Sequence, residues 1–236
     1  AGLILLSLRV TLTEPAVFID SQQQAVRRGS LGLLLASASR RNRFLKLLLI
    51  GLPVWFVAGI LIAFAPELAT SLGTHGVTAA RAVLYSYVGV AIGDLLCGLL
   101  SQVLRSRRRA MLLSLSVLVV GLVVLLRLRG LSPAMYYVVC FGLGLSTGYW
   151  AVLVTTAAEQ FGTNLRATVA TTVPNLVRAS VIPLSLLYQR MTPSLGTIET
   201  VRLLGLGCVA LAVLALWSLP ETYHRELAFL ERDSTC

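Results

Sequence analysis

Residues 82–104 read AVLYSYVGVAIGDLLCGLLSQVL, an apolar run with a single charged side chain, Asp94, near its middle. About 20 apolar residues cross the hydrocarbon core of a bilayer as a helix, so the run is long enough to span. Hydrocarbon offers no water, and ionisable groups inside it are rare, face a cavity or a partner, and mark functional sites. Asp94 therefore points to a transport pathway. The competing reading is a structural ion pair or a tolerated buried acid.

The rest of the chain extends this reading. It is 56% hydrophobic and 13% charged with a mean hydropathy of +0.82, where a soluble domain carries roughly a quarter charged residues. A water-soluble fold cannot hide that much apolar surface. Spans are predicted over Phe44–Phe64, Ala82–Leu104, Ala110–Leu126, Ala134–Ala158, Val169–Leu187 and Leu203–Leu219. The first lies too far along the chain to be a signal peptide. The expected fold is thus an all-α membrane protein, with a six-helix bundle over 44–219 and a tail over 220–236. Residues 1–8 are apolar but too short to cross, and read as the end of a truncated helix. Residues 9–43 form a polar linker with a short helix around 25–38.

Lys and Arg near helix ends orient a membrane protein. Arg27, Arg28, Arg40, Arg41, Arg43, Lys46, Arg105, Arg107, Arg108, Arg109, Arg166, Arg225 and Arg232 fall on the linker side, against Arg81, Arg127, Arg129, Arg190 and Arg202 opposite. The linker and the C-terminus are therefore expected in the cytoplasm, and the protein in the cell membrane. The net charge of +10 is mostly this signal. A basic face also meets anionic lipid headgroups, and nucleic acid is not an expected partner.

No catalytic chemistry is legible. Cys97, Cys140 and Cys208 lie in predicted spans and Cys236 ends the chain, with no paired spacing for zinc or redox work. His75 and His224 are solitary, and no nucleophile elbow or phosphate-binding loop appears. The expectation is a protein that is not an enzyme and uses no metal or cofactor.

Helical spacing gives the candidate binding residues. Tyr87, Asp94 and Ser101 recur every seven residues, with Ala91 and Gly98 on the same face. Thr171, Asn175 and Arg178 share a face of the fifth span. Both stripes suggest water or substrate, and helix-to-helix hydrogen bonding is the alternative. In the fourth span, Tyr136 and Tyr137 read as interfacial anchors, Gly142, Gly144 and Gly148 as close-packing positions, and Tyr149 and Trp150 as residues deep enough to line a site. Trp55 in the first span has the same depth. Pro174 and Pro183 imply breaks in the fifth span that would serve as hinges.

The polar loops carry a resemblance. Gly93-Asp94-Leu95, then Gly98-Leu99-Leu100-Ser101-Gln102-Val103-Leu104-Arg105-Ser106-Arg107-Arg108-Arg109, is similar to the degenerate C-terminal copy of the Gly-x-x-x-Asp-Arg-x-Gly-Arg-Arg loop of major facilitator superfamily transporters. Gln102 stands for the family's Asp and Val103 for its first Arg. Glu159-Gln160-Phe161-Gly162-Thr163-Asn164-Leu165-Arg166-Ala167 resembles the Glu-x-x-Pro-Thr-x-Leu-Arg stretch of sugar-porter-like members. Pro220-Glu221-Thr222 resembles their Pro-Glu-Thr terminus, and Thr13-Glu14-Pro15 with Phe18 the start of their central loop.

The resemblance implies a fold of twelve helices in two pseudo-symmetric halves, with substrate held between them. Residues 1–8 would end the sixth helix, the linker would be the central loop, and the six spans would be the seventh to twelfth. An N-terminal six-helix half is then the expected partner. The resemblance also implies a cytoplasmic gate in which Arg107 or Arg108 meets Glu159 and Glu221, with Arg166 nearby. The sugar-porter signature of the seventh helix is absent from Gly51-Leu52-Pro53-Val54-Trp55-Phe56-Val57-Ala58-Gly59.

The function expected is secondary active transport of a small organic solute by proton-coupled alternating access. Asp94 would carry the proton, because burial disfavours the charged form of a carboxylate. Arg178, with Asn175, Thr171, Tyr87, Trp55, Tyr149 and Trp150, would bind the solute. The planar fork of Arg178 suits a carboxylate, so its partner is either Asp94 or an organic anion, and an anion is expected over a sugar. The rival is a non-transporting interaction or sensor module on the same fold.

Overall fold

The computed structural model describes residues 29–224 and 229–231. The expected helix end at 1–8 and the linker as far as 28 lie outside the described residues, as do 225–228 and 232–236 of the tail.

In hydrocarbon every backbone N–H and C=O must be satisfied within its own segment, so apolar runs of spanning length become helices. The helices are α1 Leu31–Ala36, α2 Ala38–Phe56, a π-helical turn Val57–Ile62, α3 Ala65–Ser71, α4 Ala79–Val103, α5 Arg107–Arg127, α6 Pro133–Thr147, α7 Trp150–Glu159, α8 Thr163–Ala179, α9 Val181–Leu195 and α10 Thr197–Trp217. They combine into six apolar lengths able to cross a membrane, Ala38–Ile62, Ala79–Val103, Arg107–Arg127, Pro133–Glu159, Thr163–Leu195 and Thr197–Trp217. The chain is an all-α, multi-pass membrane protein. Serine caps set several starts: Ser106 and Ser132 accept the N–H groups of Arg109 and Met135 at 3.1 and 3.4 Å, and Pro133 follows at the first helical position.

Packing is tightest between α4 and α6. The buried stripe of α4 is Ala82, Ser86, Gly89, Gly93, Cys97 and Ser101, all small. A Cβ at Gly89 would run into the Phe141 carbonyl, one at Gly93 into the Leu145 carbonyl, and one at Gly144 into the Ser86 carbonyl. Small residues let helix backbones touch where no hydrophobic drive exists between helices in lipid. Gly144 and Gly148 are thus close-packing positions, whereas nothing lies within 4 Å of a Cβ at Gly142. The opposite face of α4 exposes Leu84, Leu95, Leu99 and Val103, side chains suited to lipid tails.

The stripe read as Tyr87, Asp94 and Ser101 does not stay together. Tyr87 is 56% exposed while Ser101 is fully buried. Ser101 lies at the end of α4, where its hydroxyl accepts from Arg107 Nη1 at 2.8 Å, whereas Tyr87 lines a pocket in the middle of the bundle.

Two spans are broken. The fourth is interrupted at Gly148–Tyr149 between α6 and α7, and the fifth at Ser180 between α8 and α9. Pro183 accounts for the second break, since it lacks the N–H that would bond the carbonyl four residues earlier. Pro174 sits inside α8 without ending it, so the break expected there is absent. Pro53 is also inside a helix, and the π turn follows it: the Val57 N–H is shared between the Pro53 and Val54 carbonyls.

Candidate functional site

The π turn, the middle of α4, the α6–α7 break and the end of α8 converge on a pocket of about 170 Å³, lined by Val54, Trp55, Val57, Ala58, Ser86, Tyr87, Val90, Thr147, Trp150 and Arg178. π turns inside helices recur at functional sites because the wider turn re-aims the side chains around it. Trp55 and Trp150 meet edge to face, with centroids 6.3 Å apart and planes at 81°. The Arg178 guanidinium carbon lies 5.2 Å from the Trp55 ring centroid, within cation–π range. No carboxylate pairs with Arg178 among the described residues.

Of the residues expected at the site, Trp55, Tyr87, Trp150 and Arg178 line this pocket. Tyr149 does not: it is fully buried and its hydroxyl donates to the Ile50 carbonyl at 2.8 Å, which makes it a strut between α2 and the α6–α7 break. Thr171 and Asn175 do share an exposed face with Arg178 but bond within their own helix. Thr171 Oγ1 donates to the Ala167 carbonyl at 3.0 Å, and Asn175 Nδ2 to the Thr171 carbonyl at 2.9 Å. The pocket adds Ser86 and Thr147, which the heptad reading of α4 and the aromatic reading of α6 passed over. Their signal is the small-residue stripe itself, which brings the two helices within backbone contact.

Asp94 pairs with no cation among the described residues. Its Oδ1 accepts the Ala151 N–H at 3.0 Å, in the first turn of α7, so a carboxylate from another helix does the work of an N-cap. Asp94 lies outside the pocket lining, one turn beyond Val90 and next in space to the residue after Trp150. The Asp94–Arg178 pair considered from sequence is not formed.

A second polar constellation sits at the bundle end where the end of α4, the start of α5, the end of α7 and the tail meet. Arg107 Nη2 contacts Glu159 Oε1 at 3.2 Å, and Arg107 Nη1 donates to Ser101 Oγ at 2.8 Å. Glu159 Oε2 accepts from the Thr222 hydroxyl at 2.6 Å. Glu221 accepts the Ser106 hydroxyl and the backbone N–H groups of Arg107 at 3.0 Å and Arg108 at 3.2 Å, so it seals the N-terminus of α5. Burial pushes the Glu221 carboxyl up, but the Ser106 hydroxyl and the N–H groups of Tyr223, Arg108 and Arg107 outweigh it and hold the group below the usual glutamate range. Arg108 enters through its backbone, and Arg166 Nε donates to the Ala158 carbonyl at 3.2 Å.

Sequence reasoning missed the clasp beside it. Glu231 Oε1 meets Arg43 Nη2 at 2.9 Å and its Oε2 lies 3.8 Å from Arg40 Nη1. Asn164 Nδ2 donates to the Glu231 carbonyl at 2.9 Å and Asn164 Oδ1 accepts the Glu231 N–H at 3.0 Å. No local pattern connects residues this far apart in the chain.

No protein-family model matches the chain, and no curated protein matches it either.

Proposed function

We propose that the protein is the C-terminal six-helix half of a major facilitator superfamily transporter, moving a small organic anion by proton-coupled alternating access. The observation that carries this is Arg178. A guanidinium midway along a spanning helix costs about 2.5 to 3.5 kcal/mol or more in hydrocarbon, and this one has an aromatic face beneath it but no acidic partner among the described residues. An anion in the adjoining pocket supplies the missing charge. The exposed face with Thr171, Asn175, Arg178 and Tyr87 is ill suited to lipid, which supports a second six-helix half closing over it. The helix breaks at Gly148–Tyr149 and Ser180 then serve as hinges beside the site.

The test is uptake into proteoliposomes under an inside-alkaline pH gradient, with the matching half co-reconstituted. Carboxylates are expected to accumulate, and not when this chain is reconstituted alone. Charge-assisted hydrogen bonds contribute about 1.5 to 3 kcal/mol, so Arg178→Gln is expected to weaken apparent affinity by roughly 10- to 100-fold, with Arg178→Lys in between. An uncharged solute, or affinity unchanged in both variants, would reject the anion site. Carboxylate binding without gradient-driven uptake would leave the non-transporting module.

The same reading makes the Arg107, Glu159 and Glu221 constellation the closed cytoplasmic gate. Glu159→Lys removes the acceptor of Thr222 and sets a cation against Arg107. Single cysteines at Ser86 or Thr147 are then expected to label faster from the cytoplasmic side. Unchanged labelling from both sides rejects the gate.

A further inference from the structure

We infer that the pocket selects an aromatic carboxylate, a single ring bearing one carboxylate, over aliphatic acids and neutral aromatics. This rests on the transport reading for where the ligand goes, but not for whether it binds. Three features set the chemistry. Trp55 and Trp150 stand at 81° to one another and form a corner in which a planar ring stacks on one indole and meets the other edge-on, both favoured aromatic geometries. Tyr87 adds a third ring to the lining. The aliphatic residues Val54, Val57, Ala58 and Val90 complete the lining, and the three large aromatic side chains supply its flat faces.

The anion end is equally specific. Arg178 rests its charge on Trp55 while its N–H donors make no hydrogen bond among the described residues, which leaves the fork open to a carboxylate. One further donor lies in the same lining, the Ser86 hydroxyl, which has no hydrogen-bond partner among the described residues, and a carboxylate has four lone-pair sites to offer. Size narrows the class again. A volume of about 170 Å³ lies below the roughly 300 Å³ at which pockets for drug-sized ligands begin, and corresponds to five or six waters at about 30 Å³ each. That is room for one substituted ring against this wall of the site.

Three probes of similar size separate the terms: benzoate, cyclohexanecarboxylate with the same charge but a saturated ring, and benzamide with the same ring but no charge. By isothermal titration with the chain and its matching half together in lipid nanodiscs, benzoate is expected to bind roughly tenfold tighter than either. Trp150→Leu is expected to erase the preference over cyclohexanecarboxylate and keep that over benzamide, and Arg178→Gln the reverse. This crossed pattern separates recognition from misfolding, which would abolish both. If benzoate and cyclohexanecarboxylate bind alike, the aromatic inference is overturned and the organic-anion reading stands. If benzamide matches benzoate, the anion reading falls with it. Binding of none of the three overturns both. Aromatic selectivity without gradient-driven uptake keeps this inference and rejects transport.

Discussion

Alanine at Gly144 is expected to destabilise the protein by about 3 kcal/mol, whereas alanine at Gly98 is expected to be neutral or stabilising by up to about 1 kcal/mol. Both are helical glycines in the α4–α6 region, and only the surroundings of the added methyl differ. At Gly144 it would overlap the Ser86 carbonyl, carbon and Cα, all backbone, so nothing can rotate aside and the helices must separate. At Gly98 nothing lies within 4 Å, and the substitution gains helix propensity alone. Separation would also move Ser86 away from Thr147, two residues that line the pocket from opposite helices, so Gly144→Ala is expected to weaken ligand binding as well. Unfolding in detergent, followed by circular dichroism, measures the difference. Equal stability for the two variants would mean that α4 and α6 do not touch as described.

The six spans were legible because an apolar run of spanning length has only one backbone solution in lipid, but their ends were less so: the first and last helices start six residues before the expected positions, at Ala38 and Thr197, and the fifth runs from Thr163 to Leu195 where Val169–Leu187 was expected. What interrupts them was legible only in part. Pro183 announces the break at Ser180, but Pro174 sits inside α8 without ending it, so a proline alone does not place a break. Past the break at Gly148–Tyr149 the start of α7 is capped by Asp94, a residue on another helix, and no local reading connects the two. The pocket shows the same division. Trp55, Tyr87, Trp150 and Arg178 stood out because large or charged groups deep in a span are conspicuous, yet Tyr149 was grouped with Trp150 although successive helical side chains diverge by about 100°. Ser86 and Thr147 are small, and only tertiary packing makes small residues part of a wall.

Asp94→Asn is expected to abolish uphill, proton-driven accumulation while leaving exchange of substrate down its own gradient. The substitution is discriminating because of where Asp94 sits. Its Oδ1 accepts the Ala151 N–H at the start of α7, and asparagine offers the same acceptor and caps helices about as well as aspartate. The cap therefore survives in the variant while the titratable proton is lost. Asp94→Ala removes both, and is expected to cost about 0.5 to 2 kcal/mol of stability as a lost cap, visible as easier unfolding. A purely structural Asp94 predicts the opposite pattern, with Asn neutral in every assay and Ala harmful through folding alone. The coupling role also has a physical route. The acceptor is fixed to the first turn of α7, whose first residue, Trp150, lines the pocket. On the transport reading, protonation would weaken the charge at that helix N-terminus and so loosen the break on which one wall of the site is mounted. Full accumulation in Asp94→Asn proteoliposomes, at the wild-type pH gradient, would remove the proton from Asp94 and leave it as the cap of a broken helix.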